Sequence, residues 1–170
     1  MAISGIIFDN QVPTAKALRG AFKAAITDGI ISGCPIVYSG MNITIGSGLI
    51  NVGGGVFQIS GTEIVSLTNS GTFARIKAII DLSESSTVSA FNQVSFGVDY
   101  ANTATGFSAL TQEDINTGSG TIYEAEICVV SISNGSISEI VRTATSASKI
   151  QYGDTLPSDA LEGTIFLLKV

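Results

Sequence analysis

The sequence has 170 residues, about the length of one domain, and a chain of this length can build a hydrophobic core without disulfides or metals. Charged residues make up only 13% of it, against about a quarter in a typical globular protein, which favours a subunit that buries much of its surface in an assembly over a monomer coated with Ser and Thr. The net charge of −6 and the lack of any run of Lys or Arg argue against a nucleic-acid partner and against an anionic membrane surface.

The N-terminus has no features of a targeting signal. Residues 1–9 have neither a basic start nor a small-residue cleavage site, so we expect no secretory signal. No apolar run approaches the roughly 20 residues of a membrane helix, so we expect no membrane insertion. Cys34 and Cys128 lie far apart in sequence and are predicted to be small buried hydrophobes in a reducing cytoplasm, with a disulfide between them as the open alternative.

An amphipathic helix is predicted over residues 14–28, because apolar residues recur there at the spacing of one helical face. That face carries Ala15, Leu18, Phe22, Ala25 and Ile26. The basic residues of the segment, which are Lys16, Arg19 and Lys23, fall on the other side. Pro13 suits the first helical position and Gly29 suits the residue just past the end.

From residue 33 onward, short β-branched segments alternate with turn residues, which is typical of a sandwich or barrel. The shorter predicted strands cover residues 36–38, 41–45, 49–52, 56–59 and 63–67. The breaks Gly46-Ser47-Gly48 and Gly53-Gly54-Gly55 are predicted to be tight turns or close backbone approaches. They do not resemble phosphate-binding loops, because neither a Lys-Ser/Thr pair nor a helix follows them.

Longer strands are predicted at residues 73–82, 93–100 and 121–132. Their alternation predicts five core side chains: Val94, Phe96, Val98, Ile127 and Val129. In the third strand, Glu124, Glu126 and Cys128 are predicted to share the opposite face. Asn134-Gly135 predicts a two-residue hairpin turn.

These patterns predict a mainly β protein, an antiparallel β-sandwich of jelly-roll-like type with one N-terminal α-helix. The predicted organisation is an N-terminal arm and helix (1–32), a sandwich domain (33–145), and a C-terminal arm with a final strand (146–170). The stretch 101–119 is predicted to be a long loop with one helical turn at 112–114.

No set of catalytic, cofactor-binding or metal-binding residues is recognised in the sequence. The chain has no His, the commonest general base and metal ligand, and two distant cysteines cannot form a structural zinc site. Glu124 and Glu126 could pair for glycoside chemistry, but we favour charged groups on an exposed strand face. Glu113 and Asp114 are interpreted as solvated loop residues. The sequence therefore predicts that the protein is not an enzyme.

A carbohydrate-binding module is the second hypothesis, and a hydrolase with paired carboxylates ranks third. A sugar site needs an aromatic platform, for which the chain offers four tyrosines and no Trp. These are Tyr38, Tyr100, Tyr123 and Tyr152. Each is interpreted as a half-buried strand residue.

The order of these features resembles the tail-tip and baseplate proteins of siphophages that infect Gram-positive bacteria. The resemblance covers most of the chain as loose patterns. The segments that carry it are SGIIFD (4–9), AKALRGAF (15–22), MNITIGSG (41–48), FARIKAIIDL (73–82), GFSAL (106–110), IYEAEI (122–127), YGDTLP (152–157) and EGTIFLLKV (162–170). Many such proteins have Asp-Arg where this chain has Ala74-Arg75, and they tend to be longer, with a separate receptor-binding head.

The resemblance implies a non-catalytic virion structural protein, made in the bacterial cytoplasm and assembled into a tail tip or baseplate. It implies a homo-oligomer, with a trimer favoured and the helix near the threefold axis, so that Leu18, Phe22 and Ile26 are the predicted oligomer interface. The expected partners are other virion proteins, and a host-surface glycan is the alternative partner. A capsid head-fibre or decoration role is a variant that the sequence does not separate from the first.

Overall fold

The computed structural model describes residues 14–87, 91–147, 150–153 and 165–168. Within these ranges it contains one helix, α1 (Ala15–Ala25), and twelve strands. The strands are β1 (Gly29–Gly33), β2 (Ile36–Ser39), β3 (Asn42–Ile45), β4 (Gly48–Val52), β5 (Gly55–Ile59), β6 (Glu63–Ser66), β7 (Phe73–Asp81), β8 (Val94–Ala101), β9 (Ile122–Ser133), β10 (Ser136–Thr143), β11 (Ile150–Gly153) and β12 (Ile165–Leu168). The prediction of a mainly β, sandwich-like protein with an N-terminal helix is confirmed.

Helix α1 is shorter than the predicted segment 14–28. It begins after Thr14, whose hydroxyl accepts a hydrogen bond from the N–H of Ala17. It ends at Ala25, because Ile26 is extended and the next residue, Thr27, donates its N–H to Ala147. Ile26 therefore lies outside the helical face that the sequence predicted for it.

Three antiparallel sheets form the body of the protein. A four-stranded sheet in the order β10-β9-β7-β8 makes one layer, and the sheets β1-β4-β5 and β2-β3-β6 make the other. Buried side chains from both layers form one hydrophobic cluster, which includes Ile43, Ile50, Val65, Ile76 and Ile132. Val94, Phe96 and Val98 pack against it from β8, which agrees with their predicted inward orientation. Strands β11 and β12 pair with each other in parallel.

The two layers are joined along one side of the sandwich. There Ile30 of β1 donates its N–H to Ala144 and forms a parallel bridge with Thr145. On the same side, Ile137 of β10 donates to Gly40 at 2.9 Å. Strands β5, β6 and β8 lie at sheet edges, and among the described strands each pairs with one neighbour only. Backbone hydrogen bonds thus join the two layers along one side of the sandwich. On another side, β5, β6 and β8 are the edge strands of their sheets.

A bulge in β9 overturns part of the predicted alternation. Ile76 pairs with Cys128 while the next residue, Lys77, pairs with Glu126, so Ile127 is the extra residue. A shift of one residue exchanges the two faces of a strand. Cys128 therefore shares the core face with Ile76, and Val129 is buried on the opposite face beside Arg75 instead of in the main core cluster.

Other predictions differ from the structure in detail. Strand β1 was not predicted, because only three residues separate its two glycines. Residues 112–114 form no helical turn, and Gln112 instead makes a bridge with Tyr123. The Asn134-Gly135 turn is confirmed, since both residues have positive φ between β9 and β10. Within the predicted C-terminal arm and final strand (146–170), residues 150–153 form β11 and residues 165–168 form β12. Residues 148–149, 154–164 and 169–170 of this segment lie outside the described ranges.

The core assignment can be tested with two isoleucines in strands of opposite layers. Ile76 is fully buried in β7, whereas Ile64 of β6 is 64% exposed. We expect Ile76→Ala to lower the free energy of unfolding by about 2–5 kcal/mol, because it leaves a cavity in the cluster. The matched change Ile64→Ala should cost less than about 0.5 kcal/mol. Equal losses in urea denaturation would contradict the core assignment.

Candidate interaction surface

The helix rests on the tight turn between β4 and β5. Gly53 and Gly54 form this turn with φ of +56° and +87°, a backbone region that favours glycine. A Cβ atom at Gly54 would overlap the carbonyl oxygen of Arg19, and one at Gly55 would lie 2.5 Å from Ile80. The predicted close backbone approach at these glycines is confirmed, and it brings α1 directly onto the hairpin.

The basic side of α1 is fastened to the sandwich. Lys16 Nζ donates to the carbonyl oxygen of Gly118 at 2.9 Å, and Arg19 Nη2 donates to that of Ile115 at 3.2 Å. Lys23 Nζ lies 4.6 Å from the centre of the Tyr123 ring, a cation–π contact. The basic side thus contacts the body of the protein, and no residue of α1 is buried.

An apolar groove of about 340 Å³ lies between α1, β5 and the start of β8. We call it the helix groove and define it by Ala15, Leu18, Phe22, Val56, Phe57 and Phe91. Phe22 is 45% exposed, Val56 40% and Phe91 62%, so three large apolar side chains meet solvent around one groove. Such a cluster is typical of a surface that another molecule covers.

Two of the three predicted interface residues lie in the helix groove. Leu18 and Phe22 line it, whereas Ile26 does not, because it follows the end of α1. Sequence reasoning missed Val56 and Phe91. Val56 follows the Gly53-Gly54-Gly55 break, and its apolar character gave no sign that it faces solvent. Phe91 lies before β8, where periodicity gives no information.

Glu124 and Glu126, the two carboxylates that could pair for glycoside chemistry, both form ion pairs. Glu124 lies 2.7 Å from Lys77 Nζ and also accepts the N–H of Thr111 at 2.8 Å. Glu126 accepts two hydrogen bonds from the Arg142 guanidinium, at 2.6 and 2.8 Å. Glu124 is only 9% exposed, so the prediction of an exposed strand face was wrong for this residue.

The outer face of the four-stranded sheet is covered by the segment between β8 and β9, and buried charges hold that segment. Arg75 pairs with Asp99, donates to the carbonyl oxygen of Ser108 at 2.8 Å, and lies 5.0 Å from the centre of the Phe107 ring. Lys77 bridges Asp99 and Glu124, at 3.0 and 2.7 Å. We call Arg75, Lys77, Asp99 and Glu124 the charge cluster.

The charge cluster favours its ionised forms. Burial alone would raise the pKa of Asp99, but hydrogen bonds and charges from Arg75 and Lys77 outweigh it and hold the pKa below its usual range. Burial likewise opposes ionisation of Glu124, and Lys77 together with the Thr111 N–H lowers its pKa overall. For Lys77, burial is outweighed by the two carboxylates, so its pKa is raised. These groups stabilise one another and leave no carboxyl poised to accept a proton near neutral pH.

Glu113 and Asp114, in the loop before β9, accept hydrogen bonds from backbone N–H groups of the same loop and of the start of β9. Glu113 accepts the N–H groups of Ile122 and Thr121, at 3.0 and 2.6 Å, and these bonds lower its pKa. Asp114 accepts the hydroxyl and N–H of Thr117 and the N–H of Asn116, which lowers its pKa strongly. Both side chains are exposed, as predicted, and both close turns of the loop.

The tyrosines offered as an aromatic platform for a sugar site lie in different parts of the sandwich. Tyr123 is buried and donates to Asp28 at 3.0 Å, Tyr100 accepts the N–H of Thr68, and Tyr38, which is 41% exposed, donates to Ser138. The side chain of Tyr152 lies outside the described residues. The described tyrosines thus have partners in different parts of the sandwich and form no common platform.

Both cysteines are free and buried, as the sequence predicted. Burial raises the pKa of Cys34, and burial together with Glu126 raises that of Cys128 to about 12, so both remain thiols at neutral pH. Among the described residues, no group of three or more acidic, Cys or His side chains is placed to hold a metal ion. The helix found in the described part of the chain is too short to cross a membrane.

The fold and this surface define a sandwich-like, mainly β protein with a surface-mounted amphipathic helix. No protein-family model matches the chain, and no curated protein matches it.

The seating of α1 can be tested at Gly54. A side chain there would need a positive φ and would collide with the backbone of Arg19, so we expect Gly54→Ala to lower the free energy of unfolding by at least about 1–3 kcal/mol. Gly61→Ala is the matched control, because nothing lies within 4 Å of its added Cβ. Thermal unfolding of the two variants measures the difference, and an unchanged midpoint for Gly54→Ala would refute the contact.

The charge cluster predicts a loss of stability in acid. The pKa values of Asp99 and Glu124 are lowered in the folded state, so their contribution is full above their unfolded values of about 4 and is lost as the pH falls through the folded ones. Urea denaturation from pH 7 to 3 should show this decline, and Glu124→Gln should make the curve flatter. Glu139→Gln, at an exposed position of β10, serves as the control. Parallel curves for Glu124→Gln and the unmodified chain would contradict the assignment.

Proposed function

We propose that the protein is a non-catalytic structural subunit of a larger assembly, and that the helix groove is a contact between subunits. The observation that carries this proposal is the fastening of α1 by its basic side, which leaves Leu18 and Phe22 facing an apolar groove open to solvent. A helix that served only to complete its own core would bury its apolar side, whereas Phe22 is 45% exposed. The low share of charged residues, 13%, supports the same conclusion.

The proposal that the assembly is a phage tail tip or baseplate rests on the sequence resemblance. A tail-tip role agrees with the properties described above: engaged carboxylates, dispersed tyrosines and an exposed apolar surface. A capsid head-fibre or decoration protein is the variant with the same chemistry. Mass spectrometry of purified phage particles from a strain that carries the coding sequence tests both. The particle fraction should contain the chain, and its absence from particles while it is abundant in the lysate would overturn a virion role.

The oligomer is proposed to be a homotrimer with the α1 helices at the shared axis. Burying a Leu or Phe side chain contributes roughly 1.5–3 kcal/mol each, and this contribution recurs in every subunit. We therefore expect the double change Leu18→Asp and Phe22→Asp to convert the oligomer into folded, β-rich monomers, as measured by sedimentation velocity at micromolar concentration and by circular dichroism. Ala24→Asp is the matched control, because Ala24 is exposed on α1 and does not line the groove.

Two outcomes would contradict this arrangement. A monomeric unmodified protein at micromolar concentration would refute the oligomer. An oligomer that persists in the double variant would exclude the helix groove as its interface.

A further inference from the structure

We propose that Asn134, at the tip of the hairpin between β9 and β10, is a site of spontaneous deamidation with water as the co-reactant. The hairpin slows the reaction, and one of the two products damages the hairpin. Asn134 is the one Asn in the sequence that a glycine follows. Neither Asn134 nor Gly135 lines the helix groove, so this site is separate from the subunit contact proposed above.

The reaction joins the side chain of Asn134 to its own backbone. The amide nitrogen of Gly135 loses its proton to solvent base and attacks Cγ of Asn134, so that an N–Cγ bond forms. The Cγ–Nδ2 bond breaks, ammonia leaves after taking up a proton, and a cyclic imide remains. Water then adds to either carbonyl carbon of the imide and opens the ring. Opening at Cγ gives an aspartyl residue in the normal backbone. Opening at the backbone carbonyl carbon gives an isoaspartyl residue, whose main chain runs through Cβ and Cγ.

The surroundings of the hairpin tip expose the reacting groups. Residues 133–136 are all exposed, and the Asn134 side chain makes no hydrogen bond with the part of the chain that the structure describes. A Cβ atom added to Gly135 would meet nothing within 4 Å, so the tip projects away from the sandwich. The glycine itself favours the attack, because a side chain on the following residue would crowd the approach of its nitrogen to Cγ.

The closed turn opposes ring formation. Asn134 and Gly135 have φ of +52° and +71° in a two-residue hairpin loop, which is the geometry of a type I′ turn. In this left-handed region ψ is about +30 to +60°, which places the nitrogen of the next residue nearly opposite Cβ across the Cα–C bond. Cγ is then out of reach of that nitrogen until ψ of Asn134 rotates. Deamidation therefore proceeds from an opened turn, and its rate reports how often the tip opens.

The two products affect the hairpin differently. An aspartyl residue tolerates positive φ and fits the turn. An isoaspartyl residue adds an atom to the main chain, and the two-residue turn cannot close around it with the same register. The pairs next to the turn are Ser133 with Ser136 and Ile132 with Ile137, and both isoleucines are buried in the core. Ile137 also donates its N–H to Gly40 at 2.9 Å, one of the bonds that join the two layers. We expect isoaspartate to loosen this bond.

Peptide mapping by mass spectrometry tests the site on the full chain. The protein is incubated in mildly alkaline buffer, folded or in concentrated guanidinium chloride. The peptide with Asn134 should gain one mass unit in both, at least about tenfold more slowly in the folded protein. Peptides with Asn69 and Asn102, which are exposed and precede residues that have a side chain, are the internal controls and should deamidate far more slowly. An unchanged Asn134 peptide in denaturant would overturn the site, and equal rates in the two states would overturn the role of the turn.

Amide hydrogen exchange followed by NMR separates the two products. The Ile137 amide should exchange at least about tenfold faster in the isoaspartyl protein, purified after incubation, than in Asn134→Asp, which has the same charge and a normal main chain. Asn134→Gly retains the positive φ without a side-chain amide, so its Ile137 amide should stay protected and its peptide should gain no mass. Unchanged protection of the Ile76 amide verifies that each sample is folded. Equal exchange of the Ile137 amide in the isoaspartyl protein and in Asn134→Asp would contradict the damage to the hairpin.

Discussion

The contact between Gly54 and the backbone of α1 fixes which way the helix faces. With no Cβ on the hairpin turn, the helix backbone approaches β4 and β5 closely enough that Lys16 and Arg19 reach the carbonyl groups of the loop before β9. Once these basic side chains are engaged, helical geometry sets the position of the apolar ones. Leu18 and Phe22 lie along an adjacent strip of the helix and contribute to an open groove. The proposed subunit contact therefore depends on the close approach at Gly54, which itself lines the groove.

A second consequence concerns the charged residues. The chain has few of them, and four lie together on the outer face of the central sheet beneath a loop. Ion pairs with low exposure are retained only when each charge is matched, and here each cation contacts a carboxylate and the loop backbone fills further positions. Glu124 and Asp99 consequently fix the position of a loop, and their lowered pKa values follow from that role. Because the charge cluster lies beneath the loop, its four residues add little charge to the solvent-exposed surface. This agrees with the proposal of a subunit within an assembly.

The two long sides of the sandwich differ. One side is sealed by hydrogen bonds from β1 and β10 to the opposite layer. The side formed by β5, β6 and β8 has open edges, and the helix groove lies at one end of it. Natural sheets protect such edges, because an open ladder recruits other strands.

The sequence by itself determined the class of the fold, because alternation and turn residues are local. Val94, Phe96 and Val98 point inward as their period of two requires, and the Gly53-Gly54 and Asn134-Gly135 turns lie where their backbone preferences place them. It also identified Leu18 and Phe22 as members of one apolar stripe, and both line the helix groove. Only the tertiary structure decided the rest. The β9 bulge depends on pairing with β7, a contact between distant segments, and it moved Val129 and Cys128 to opposite faces from those predicted. The end of α1 at Ala25 depends on a bond from Thr27 to Ala147, 120 residues away. The burial of Glu124 depends on a loop whose position no local pattern encodes, and the exposure of Val56 and Phe91 depends on where α1 is seated.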